Sequence, residues 1–128
     1  MSTRCYIGVK RPDHSIEFVY CHHDGDPEGV GWTLQDFYPD GNIDEILKVG
    51  AMSSLGDTPE LCEFYKDPDN HSIKRDCLWA YKKYVKDSDA EYAYIFQDGK
   101  WYYSKKFYIG RDKAGWMQFD MGPWTEVD

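Results

Sequence analysis

The chain has 128 residues, a formal net charge of −8, an aromatic content of 17% and four cysteines. That length fits a single domain, residues 1–128, whose core is large enough to need no staples. The negative charge argues against attraction to a phosphate backbone and suits a basic partner, including a protein whose own ligand is nucleic acid.

Cys5, Cys21, Cys62 and Cys77 stand far apart without the spacing of a zinc site. The residues lead us to expect no signal peptide, and no apolar run is long enough to span a bilayer. The expectation is a cytoplasmic protein with free thiols and no membrane partner.

In chain order, Arg4–Lys10 and Ser15–Cys21 alternate as strands do, with Arg11–His14 between them as a four-residue loop. Pairing Lys10 with Ser15 sets Val9 opposite Ile16, Ile7 opposite Phe18 and Cys5 opposite Tyr20. In that register Cys5 and Cys21 point apart, against a disulfide.

Asp26-Pro27-Glu28 reads as a helix start: an N-cap acid, proline in the first turn and an acid near the positive helix end. Val30, Leu34 and Phe37 recur at helical spacing, giving a helix from about Pro27 to Tyr38. Asn42 with Glu45 forms a capping box for a second helix, closed by Gly50. Ala51–Gly56 is a connector with some extended character, Pro59 to about Tyr65 a further helical turn, and residues 67–76 a loop. Residues 76–85 fit either periodicity, with a lean to a strand through Tyr81.

Asp98-Gly99 between two aromatic runs is the clearest signal, a two-residue hairpin turn. It pairs Gln97 with Lys100, Phe96 with Trp101, Tyr94 with Tyr103 and Glu91 with Lys106. Tyr92, Tyr94, Phe96, Trp101 and Tyr103 then share a face, either a core face or a surface that stacks on a base or sugar, with Tyr94, Trp101 and Tyr103 as the surface candidates. Phe107–Gly110 and Gly115–Phe119 read as a last irregular or strand segment, and Trp116 or Trp124, if exposed, as a partner anchor. The fold class is α+β: an antiparallel sheet of two hairpins plus a further strand, with two or three short helices.

The unusual chemistry concentrates in Tyr20–Gly31, where His22, His23 and Asp24 lie between a strand end and a helix start. The residues allow a plain turn, a partner or small-ligand contact, or a metal or catalytic site. Adjacent histidines on a strand point to opposite faces, which weighs against one shared ion. Gly25, Gly29 and Gly31 let a ligand or another backbone come close.

The run Tyr20-Cys21-His22-x-Asp24-Gly25-x-Pro27-Glu28-Gly29-Val30-Gly31, followed by Leu34 and Tyr38, resembles a motif of small bacteriophage and prophage proteins. Arg4 to Ile7, Ser53-Ser54-Leu55 and the Tyr92–Phe96 and Gly99–Trp101 segments extend the likeness over most of the chain. His23 stands where such proteins often carry Trp, and Leu78–Lys86 departs from their pattern. The resemblance implies a phage accessory protein and no particular activity.

Together these readings favour a non-enzymatic protein that binds and inhibits a host protein in the host cytoplasm, such as a basic nucleic-acid-binding component of antiviral defence. His22, His23, Asp24, Asp26, Glu28 and Asp36 are the candidate contact residues, with no cofactor, no metal and no direct nucleic-acid contact called for. The alternative is a nucleotide or small-anion binder, or a weak hydrolase with His22 as base and Asp24 as its orienting partner.

Overall fold

A computed structural model describes residues 2–128. Among the described residues nine strands form one mixed sheet: β1 (Cys5–Lys10), β2 (Ile16–Cys21), β3 (Met52–Ser54), β4 (Glu63–Phe64), β5 (Ile73–Arg75), β6 (Tyr92–Gln97), β7 (Lys100–Arg111), β8 (Met117–Met121) and β9 (Thr125–Glu126). Their order is β4-β3-β2-β1-β6-β7-β8, with β5 also on β2 and β9 also on β7. Three short helices complete the fold: α1 (Trp32–Phe37), α2 (Asp44–Val49) and α3 (Leu78–Lys86).

The α+β class stands, but the sheet is not purely antiparallel. β1 lies between β2, its antiparallel hairpin partner, and β6, which runs parallel to it. β2 and β3 are likewise parallel. A central strand covered on both sides has to be apolar on both faces, and Cys5, Tyr6, Ile7, Gly8 and Val9 are all buried.

Two cores result. Cys5, Ile7, Val19, Cys21, Tyr94 and Trp101 face the layer that carries Leu34, Ile43 and Ile46. Tyr6, Ile16, Phe18, Ala93 and Ile95 face Tyr81 and Val85 of α3. The aromatic stripe of the β6–β7 hairpin is therefore largely core. Tyr94 and Trp101 are buried and Tyr103 is half-buried, so none of the three is an open stacking surface. The hairpin register itself is as the sequence reads, from Gln97↔Lys100 through Tyr94↔Tyr103.

The first hairpin slips by one residue from the expected register. Its partners are Cys5↔Cys21, Ile7↔Val19 and Lys10↔Ile16. The loop is one residue longer than expected, closed by the Arg11 amide donating to the Ser15 carbonyl at 2.8 Å. Inside it the Asp13 carboxylate accepts from both the amide and the hydroxyl of Ser15, and His14 adopts φ 72°. Both strand faces are buried, so the apolar pattern fits either register and the turn decides. Cys5 and Cys21 consequently face one another as buried free thiols, and burial pushes the Cys5 thiol up.

Residues 78–86 are helix rather than strand. Leu78, Tyr81 and Val85 lie on one side of α3, and the Tyr81 hydroxyl donates to the Tyr94 carbonyl at 2.7 Å. Trp79, which made the segment read as a strand, points to solvent. The expected loop at 67–76 contains β5, which pairs with β2 through Phe18↔Ile73. The helical turn at Pro59 is a single turn, Pro59–Leu61, that passes into β4. Among the described residues no helix is long and apolar enough to cross a membrane.

Candidate functional site

β2 ends at Cys21, and the next two residues still hold the sheet. The His22 amide donates to Met52 O at 3.1 Å and the His23 amide to Ser53 O at 2.9 Å. Asp24 then turns the chain in a left-handed conformation, φ 58°, which an aspartate tolerates better than most residues. Three hydrogen bonds fix the turn. The Gly25 amide donates to Thr3 O, the Val30 amide to Asp24 O, and the buried Tyr94 hydroxyl to Gly25 O, each at 2.7–2.8 Å.

Two glycines are required here, and what approaches them is the chain's own backbone. A methyl at Gly25 would stand 2.7 Å from Thr3 O, and one at Gly29 would run into the Asp24 carbonyl. The helix begins at Pro27 as expected. Its first stretch, Pro27–Gly31, is wound as a wide π turn before α1 proper. Such turns occur mostly as single insertions next to α-helix and frequently mark sites.

Capping differs from expectation. The Asp26 side chain makes no cap bond; its backbone carbonyl receives the Gly29 and Gly31 amides instead. Its carboxylate lies close enough to Cys5 and Tyr94 to add to the upward pressure that burial puts on both groups. In α2 the capping box is replaced by Asn42 Oδ1 accepting from the Asp44 amide at 3.3 Å, one residue before the anticipated geometry.

The six candidate residues separate. His23, Asp24, Glu28 and Asp36 line one open cleft of about 320 Å³, together with Trp32 and Phe37. His22 and Asp26 do not line it. The His22 ring instead hydrogen-bonds the Tyr20 hydroxyl through Nδ1 at 2.8 Å. Slight desolvation, with His23 and Arg4 nearby, holds its imidazole below the ordinary histidine range. The His23 ring bonds the Ser2 hydroxyl at 3.0 Å. Asp24 has no hydrogen bond to His22, so the orienting pair a hydrolase would use is not assembled. Among the described residues no three His, Cys, Asp or Glu side chains converge to hold a metal ion.

The acidic cluster likewise divides in two. Asp44 and Glu45 line a separate cleft with Arg11, Glu17 and Lys48. There Arg11 bridges Glu17 at 2.8 Å and Asp44 at 3.0 Å, and Lys48 holds Glu45 at 3.0 Å. Those charges are largely spent within the chain. No ion pair holds Asp24, Glu28 or Asp36 among the described residues.

Two residues of this cleft have a role that the helical spacing did not assign. Phe37 was expected in the buried stripe, but it is 52% exposed and Trp32 beside it is 50% exposed. The buried stripe is Val30, Leu34 and Tyr38, each four residues from the last. That spacing is visible in the sequence, and it leaves positions 32, 36 and 37 on the outer face.

No protein family, curated protein or solved structure matches the chain.

Proposed function

We propose that the chain is a binding protein that presses Trp32 and Phe37, rimmed by Asp24, Glu28 and Asp36, onto a basic surface of a partner protein. The observation that carries this reading is the pair of half-exposed aromatics on a helix whose neighbouring carboxylates make no ion pair among the described residues. Buried aromatic anchors supply most interface energy, and the surrounding charge steers approach and selects partners.

The resemblance of the Tyr20–Gly31 run to a phage-protein motif leads us to propose whose protein the partner is: a host protein, a basic nucleic-acid-binding defence component. In that case the acidic rim occupies a groove meant for phosphates, and binding inhibits the host protein. No catalytic step is assigned to the histidines.

The test is affinity purification on the immobilised full chain from lysate of an infected bacterial host, repeated as salt rises from about 0.1 M to about 1 M, where the screening length falls from ~10 Å to ~3 Å. The expected result is a partner released by salt and missing from a Trp32→Ala/Phe37→Ala matrix. A partner held equally by both matrices at all salt concentrations refutes the proposed face, and no partner refutes the function.

A further inference from the structure

The longest strand, β7, runs beyond the body of the sheet, and its second half pairs with β8 as an arm. The register passes from Lys106↔Met121 through Tyr108↔Phe119 to Arg111↔Met117, with a bulge at Ile109. Phe107, Tyr108, Ile109, Trp116, Met117 and Phe119 are all exposed on this arm, Trp116 at 72%. Isolated exposed apolar side chains need no explanation, but six on one short ribbon do.

β8 ends the strand order, and among the described residues it pairs with β7 alone. The strand reads Met117-Gln118-Phe119-Asp120-Met121, without the proline or lysine that commonly blunts a free edge. We propose that this edge pairs with the same edge of a second copy, antiparallel about Phe119, so that one sheet runs through a symmetric dimer.

The sequence of β8 is its own complement in that register. Pairing about Phe119 sets Met117 opposite the second copy's methionine at 121, and Phe119 opposite itself. Gln118, whose amide donates to Asp112 and to Trp116 O within the chain, meets the carboxylate at position 120, so a neutral side chain rather than a like charge faces each acid. No charge meets its like, the arrangement an antiparallel pair requires. Ring against ring, flanked by the exposed Met117, extends the apolar face on which Tyr108 already packs edge-on to Phe119 at 5.8 Å, while Met121 anchors the base of the arm in the core beside α3. A symmetric interface demands this kind of self-complementarity, whereas a nucleic acid or lipid surface does not. Asp112 and Asp120 also interrupt the arm's basic residues, which disfavours an anionic partner.

Sedimentation of the full chain from about 10 µM to about 1 mM tests the register, because a dimer grows by mass action. Wild type is expected to shift from monomer to dimer. Gln118→Glu sets two acids opposite two acids and weakens the dimer roughly twofold to thirtyfold, while Gln118→Lys sets lysine against Asp120 and tightens it. Position 118 is exposed but its amide holds Asp112 and Trp116 O in the arm's turn, so thermal melts of each monomer separate a weakened arm from a weakened dimer. A chain that stays monomeric throughout overturns the proposal. So does a dimer indifferent to both substitutions, or a monomer that instead binds anionic vesicles or single-stranded DNA.

Discussion

At the residue scale, hydroxyl groups join the core to the candidate site. Tyr81 donates to the carbonyl of Tyr94, and Tyr94 donates to the carbonyl of Gly25, the turn from which the cleft opens. Tyr94→Phe leaves the Gly25 carbonyl in a buried setting without its donor, and should cost about 1–3 kcal/mol in a urea-denaturation measurement. Burial pushes Tyr6, Tyr38, Tyr81 and Tyr94 upward. These groups stay protonated in the folded chain while the unfolded chain ionises near pH 10, so their contribution is complete below about pH 10 and is lost as pH climbs above it. Alkaline unfolding followed by tyrosinate absorbance should show ionisation and loss of structure together. Glu17 carries the opposite sign. Burial works to raise it, but the Ser72 hydroxyl and the Arg11 guanidinium outweigh burial and hold it below the usual carboxylate range. Its contribution is therefore present above the unfolded value and lost as pH falls through the folded one. Glu17→Gln should cost about 1 kcal/mol at neutral pH and flatten the acid limb of the stability curve.

At the element scale, the turn from β2 into α1 depends on close backbone packing rather than on a cap. Gly29→Ala drives a methyl into the Asp24 carbonyl, so it should destabilise by about 1–3 kcal/mol and weaken partner binding along with the turn, readable by calorimetry and binding together. What was legible in the sequence was local. Asp98-Gly99 set the late hairpin register without error, Pro27 marked a true helix start, and Gly50 a true helix end. What was not legible depended on neighbours distant in sequence. The parallel pairing of β1 with β6 joins strands more than eighty residues apart, and no local pattern announces it. Two-sided burial also removed the usual alternation that fixes a strand register, so the first hairpin slipped by one. Of the six residues singled out in the sequence, His23, Asp24, Glu28 and Asp36 line one cleft and His22 and Asp26 do not, while Trp32 and Phe37 were hidden behind a helical stripe read one position off.

At the scale of the whole molecule, charge is divided along the chain. Residues 1–73 carry fourteen acidic and five basic side chains, while residues 74–128 carry nine and ten. The first part supplies α1 and α2 on one face of the sheet, and the second supplies α3 and the β7–β8 arm. In the proposed reading, the acidic, aromatic side meets a basic partner protein and the nearly neutral, apolar arm meets a second copy of the chain. The most direct measurement is a titration of the captured partner with wild type, with Trp32→Ala/Phe37→Ala and with Trp79→Ala as an exposed-tryptophan control on α3. The account predicts roughly a thirtyfold or greater loss of affinity for the double variant, the effect of removing an interface anchor, and wild-type affinity for the control. Undiminished binding by the double variant would contradict it.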